Sequence, residues 1–136
     1  MPELPEVQTV VSQLDRKISG RQIVSVWSDW QKKILTPFAQ FSTGVKGATV
    51  LGVRRLGKHI VIDLDNGHCI VAHLKMTGHF LVKDDTNRQS DPFVKDRING
   101  YIHHIITFAD GTTLEFSDMR KFGWLRLMLT EDVERH

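Results

Sequence analysis

At 136 residues, with 40% hydrophobic and 25% charged side chains, the chain has the size and make-up of one globular domain and too little length for two separate cores. A net charge of +2 is too slight to mark a nucleic-acid binder by itself. No apolar run reaches membrane-spanning length and the first residues lack the plan of a signal peptide, so a cytoplasmic chain is expected.

The chain opens Met1-Pro2-Glu3-Leu4-Pro5-Glu6. Removal of Met1, which a small second residue such as proline permits, would expose a secondary amine beside two carboxylates. An α-amino group has a pKa near about 8, so a useful fraction is nucleophilic at neutral pH. Condensed with a carbonyl or an anomeric carbon, a secondary amine becomes a cationic iminium, a strong electron sink. Chains beginning Met-Pro are nevertheless common, and the dipeptide alone decides nothing.

Val7, Val10, Val11, Leu14 and Ile18 then recur at helical spacing with polar residues between them, which predicts an amphipathic helix. Pro5 suits its first turn, Glu6 is favoured near the positive end of its dipole, and Gly20 can close it as a left-handed cap. Glu6 read this way is a helix-start carboxylate as readily as a chemical group.

From Arg21 onward the signals change to strands: 22–28, 48–53, 59–64, 68–74, 79–82, 101–108, 112–116 and 124–129. Asp65-Asn66-Gly67 and Asp110-Gly111 supply hairpin turns, because these residues tolerate positive φ. One helix followed by about eight short strands predicts an α+β domain, the helix packed on an antiparallel β-sandwich or flattened barrel. The polar stretch 84–92 predicts a mobile loop. The charged tail 130–136 is expected to close no element, as in a piece of something longer. The single cysteine, Cys69, lies in an apolar strand and reads as a buried, inert thiol; it excludes an intrachain disulfide and a cysteine-based zinc site. Arg54, Arg55 and Lys58 cluster around Gly57, and Arg120 and Lys121 sit together; either group could be solvated surface.

Three short stretches follow the PELPEV opening in order: Leu56-Gly57-Lys58-His59, His73-Leu74-Lys75-Met76-Thr77-Gly78 and Asp118-Met119-Arg120-Lys121-Phe122-Gly123. Together they resemble the N-terminal domain of formamidopyrimidine-DNA glycosylase, the bacterial base-excision enzyme for 8-oxoguanine and ring-opened purines, over essentially the whole chain. The opening favours this family over its relative endonuclease VIII, which prefers oxidised pyrimidines.

The resemblance implies a role for each motif. Pro2 would attack the anomeric carbon of the damaged nucleotide, and Glu3 would be the acid-base partner, protonating the sugar ring oxygen. Glu6 would order the terminus. Lys58 would be the hairpin lysine near the lesion and its phosphate, and His73 a phosphate contact, with core packing of its imidazole as the competing reading. Met76, Arg120 and Phe122 would fill the gap left when the nucleotide turns out of the duplex, a movement that costs a few kcal/mol of stacking and pairing. Two apolar side chains restore contact there, while the guanidinium can hydrogen-bond the orphaned base.

The implied partner is double-stranded DNA carrying oxidised purines, in the bacterial cytoplasm and at the nucleoid, with no membrane and a monomeric protein. No metal or other cofactor is expected in residues 1–136. The resemblance implies that the helix-two-turn-helix and zinc-finger domains of full-length relatives, and with them the zinc, are absent from these 136 residues. The fragment should therefore bind DNA weakly and with strong salt sensitivity. Two departures from the family pattern bear on local anchoring: Gln8 where glutamate is usual, and Met119 where proline is frequent. Two other classes remain open, a non-catalytic lesion-binding module and an unrelated enzyme with N-terminal proline chemistry of the tautomerase kind; the second fits poorly with a strand-rich chain.

Overall fold

In a computed structural model, residues 4–75, 78–84, 102–118 and 123–133 are described. Helix α1 (Leu4–Ile18) buries Val7, Val11, Leu14 and Ile18, the stripe that the sequence periodicity predicts, and Gly20 follows it at φ +83°. Among the described residues eight strands form two antiparallel sheets, β1-β6-β7-β5 and β2-β3-β4-β8. The strands are β1 (Ile23–Ser28), β2 (Val50–Leu56), β3 (His59–Leu64), β4 (His68–His73), β5 (Gly78–Lys83), β6 (Ile102–Phe108), β7 (Thr113–Asp118) and β8 (Trp124–Leu129). This is the expected α+β sandwich. The two hairpin turns are also where glycine and asparagine predict them, with Gly67 at φ +82° and Gly111 at φ +88°.

Inward-facing Ile60, Ile62, Leu64, Ile70, Ala72 and Leu125 meet Ile106, Phe108, Leu114 and Phe116 of the other sheet in one buried core, and α1 contributes its stripe to it. The helix lies along β2 in the opposite direction. Asp15 Oδ1 accepts from the Val53 amide at 2.8 Å, and Gln8 Oε1 accepts from Arg55 Nε at 3.2 Å. The far end of β2 therefore approaches the start of α1.

Two expectations need correction. The segment between β1 and β2 is helical, not merely strand-connecting: a 3₁₀ turn (Gln31–Lys33) leads to helix α2 (Phe38–Val45). Pro37 fixes the entry, and Phe41 and Val45 are wholly buried, so tertiary packing holds a helix too short to persist alone. The charged tail also does close an element. Thr130–Val133 form a single helical turn, α3, whose Val133 is 3% exposed and packs with Val61, Cys69 and Val71 on the outer face of the second sheet. One buried apolar side chain among charged neighbours is enough to seat the turn. Cys69 is buried in that cluster, as its strand context suggests. Apart from Asp84, the polar stretch expected to form a loop lies outside the described residues. Among the described residues, no helix is long and apolar enough to cross a membrane.

Candidate nucleic-acid interface

Leu56 pairs with His59 across β2 and β3, leaving Gly57 and Lys58 as a two-residue hairpin loop. Gly57 stands at φ +61° and Lys58 does not have positive φ, the pattern of a glycine-first type II′ turn whose twist matches the flanking strands. The loop is braced from both sides, since Arg55 Nη1 donates to the Gly57 carbonyl at 3.1 Å while its Nε reaches Gln8. Gln8 thus keeps an acceptor for Arg55 with an amide in place of a carboxylate. The hairpin lysine consequently projects from the end of the sandwich where α1 begins.

On the outer face of the second sheet, cross-strand neighbours line up in rows. His73 pairs with Trp124. His59 meets His73 edge to face, with ring centroids 5.0 Å apart, and lies 5.5 Å from the Trp124 ring. His73 is 8% exposed, and its Nδ1 accepts from the Lys75 amide at 3.0 Å, so the neutral ring carries its proton on Nε2. Burial first, and then the charges of His59, Lys75 and Lys58, hold the His73 pKa below the ordinary histidine value. Lys75 itself stands at φ +56°, alone among the described non-glycine residues in having positive φ. Such a conformation costs on the order of 1–3 kcal/mol and persists only where surrounding contacts enforce it.

A third chain segment reaches the same end. Gly78 pairs with Asp118, and the Asp118 carboxylate, 1% exposed, accepts from the Gly123 amide at 2.6 Å. A Cβ on Gly123 would lie 2.5 Å from Phe116 Cζ and 2.9 Å from the His73 carbonyl oxygen, so glycine is required by close approach.

The described ends of the three motifs, Lys58-His59, His73-Lys75 with Gly78, and Asp118 with Gly123, therefore converge. Glu6 lies exposed in the first turn of α1, where its charge complements the helix dipole. Pro2, Glu3, Met76, Arg120 and Phe122 lie outside the described residues, as does Met119. Sequence reasoning missed Lys75, Asp118, His103 and Trp124; the first two stand inside quoted motifs, but nothing in their spacing signals a strained backbone or a carboxylate turned inward. Among the described residues no group of three or more His, Cys, Asp or Glu could hold a metal ion. What the cluster offers is two ammonium groups and an imidazole N–H beside an aromatic row, the chemistry of a phosphate contact next to a stacking surface.

Residues 1–125 match the family model described as the formamidopyrimidine-DNA glycosylase N-terminal domain, and the chain belongs to that family. It is 33% identical over 134 residues to the formamidopyrimidine-DNA glycosylase of Lactococcus lactis subsp. cremoris, covering 98% of this chain and 45% of that protein. To the one from Protochlamydia amoebophila it is 37% identical over 137 residues, with the same coverage. Among solved structures, the Lactococcus lactis enzyme in complex with DNA containing an abasic site matches with a TM-score of 0.84 at 30% identity, covering 98% of this chain and 46% of that one. MutM in complex with DNA containing carbocyclic 8-oxo-G matches at 0.83 and 29% identity, covering 98% and 47%. The chain spans about half the length of the curated relatives it matches.

Proposed function

We propose that residues 1–136 form the N-terminal catalytic domain of a base-excision-repair DNA glycosylase and abasic-site lyase that acts on 8-oxoguanine and formamidopyrimidines in duplex DNA. The observation that carries this reading is the convergence of the Lys58 hairpin, the His73–Lys75 turn and the Asp118–Gly123 closure at the end of the sandwich where α1 begins. Support comes also from the likeness to solved enzymes bound to lesion-containing DNA.

In this mechanism Pro2, freed of Met1, attacks C1′ of the damaged nucleotide as its base leaves. Glu3 gives a proton to the sugar ring oxygen, the ring opens, and the resulting iminium draws electrons from C2′ so that the 3′ and then the 5′ phosphate are eliminated. Lys58 and His73 neutralise and orient the phosphates flanking the lesion, while Glu6 steadies the terminus. Met76, Arg120 and Phe122 occupy the gap in the duplex, the guanidinium pairing with the opposite base. No metal or other cofactor takes part in these steps, and zinc belongs to the C-terminal half of full-length relatives. Such a protein works as a monomer on the bacterial nucleoid, in the cytoplasm.

The test is base release. A chimera in which this chain, without Met1, replaces the matching part of the Lactococcus lactis protein should liberate free 8-oxoguanine from an oxidised duplex. Release of oxidised pyrimidines in preference would point instead to an endonuclease VIII-like specificity.

A further inference from the structure

Strand β6 carries a bulge. Ile102 pairs with Ser117 and His104 with Phe116, so one extra residue, His103, stands between two consecutive residues of β7. Bulges of this kind re-aim a side chain out of the regular alternation. The His103 side chain is 10% exposed and is engaged at both nitrogens: Nδ1 lies 2.8 Å from Asp29 Oδ1, and Nε2 lies 3.2 Å from the Asp118 carbonyl oxygen. A carbonyl can only accept, so Nε2 carries a proton and donates. The main chain repeats the tie, because the Asp29 amide donates to the His103 carbonyl at 3.1 Å. Asp118 is the residue whose carboxylate receives the Gly123 amide. His103 thus grips the backbone of the residue that closes the 118–123 motif, and Asp29, at the end of β1, fixes the ring that does so. Neither His103 nor Asp29 belongs to the motifs by which the family is recognised, whereas Asp118 and Gly123 are the two ends of one of them.

We propose that His103 is a positioning residue for DNA engagement: through Nε2 it fixes Asp118, and so sets where the segment carrying Arg120 and Phe122 leaves and re-enters the sandwich. The functional part of this statement rests on the proposed wedge role of Arg120 and Phe122; the mechanical part does not.

The two substitutions that separate the ring's ends make the test specific. In His103→Gln the amide nitrogen takes the place of Nε2, and in His103→Asn the amide takes the place of Nδ1. Two readouts are made on this chain, amide hydrogen exchange at Gly123 without DNA, and the preference for a duplex containing an abasic-site analogue over an intact duplex. In His103→Ala and His103→Asn, Gly123 should exchange about tenfold faster, the equivalent of one lost hydrogen bond of about 1.4 kcal/mol, and the lesion preference should fall with it. His103→Gln should restore both. Should His103→Ala unfold the chain, the Gln and Asn variants still decide, with Asp29→Asn as a milder third arm. Unchanged Gly123 exchange in His103→Asn, or equal behaviour of the Gln and Asn variants, would overturn the proposal. Lesion preference that survives both Arg120→Ala and Phe122→Ala would instead refute the wedge reading, leaving the exchange arm to judge His103 independently.

Discussion

His59 and His73 meet with their ring planes 87° apart, and the contact links the hairpin that presents Lys58 to the strand that ends in the strained Lys75 turn. Because the charges of His59, Lys75 and Lys58 all add to burial in lowering the His73 pKa, removing any one of them should raise it. An NMR titration of Lys58→Ala and His59→Phe should show the His73 resonances titrating at higher pH than in the parent chain. A His73 titration unmoved by both changes would mean that the cluster is electrostatically unconnected.

Lys58 also makes a prediction about DNA. If its ammonium displaces one counterion from a phosphate, Lys58→Ala should reduce the slope of log K against log salt by about 1 and weaken binding to all sequences alike. Measuring affinity by anisotropy at several salt concentrations gives the slope directly.

The buried His104 sets a pH limit on stability. Its Nδ1 bonds Ser28 Oγ at 2.8 Å, and burial, reinforced by the charge of His103, lowers its pKa from 6.5 to about 4. The unfolded chain therefore takes up a proton near pH 6.5 that the folded chain refuses until about pH 4. Stability from this residue is complete above about 6.5 and lost as pH falls through that window. At about 1.36 kcal/mol per unit, the loss is on the order of 3 kcal/mol. Urea denaturation from pH 7 to 4.5 should show a shallower decline in His104→Asn than in the parent; parallel curves would contradict the assignment.

Gly123 and Gly44 offer a contrast in packing. An added Cβ at Gly123 meets a backbone carbonyl and a buried ring, whereas at Gly44 it meets the tip of the Leu127 side chain at 2.4 Å. A side-chain tip can rotate away; a carbonyl held in a strand cannot. Gly123→Ala should cost about 1–3 kcal/mol as an overpacked site, while Gly44→Ala, inside a helix where alanine is favoured by roughly 1 kcal/mol, should stay near neutral. Urea midpoints rank the two.

Much of this molecule is readable from its residues. The stripe Val7, Val11, Leu14 and Ile18 announces α1, and Asn66-Gly67 and Asp110-Gly111 mark two hairpins, because in each case local chemistry and the final structure agree. Helix α2 escaped although Phe38, Phe41 and Val45 carry its period: eight residues hold barely two turns, and the neighbouring strands drown the signal. Val133 was hidden in a charged tail, since one apolar residue has no period. The order of the four motifs reveals the family, yet the tie from Asp29 through His103 to Asp118 joins residues 74 and 15 positions apart and exists only because β6 bulges. Spacing along the chain carries no trace of it.

The proposed mechanism requires that a freed Pro2 nitrogen become covalently joined to the sugar of a damaged nucleotide. Borohydride reduction of the Lactococcus lactis chimera on an abasic-site duplex measures this most directly, read by mass spectrometry of the cross-linked product. The mechanism predicts a one-to-one adduct through the N-terminal residue when Met1 has been removed, and none when Met1 is kept and the proline nitrogen is an amide. No adduct from the folded, DNA-binding, Met1-free protein, or equal adduct with Met1 in place, would contradict it.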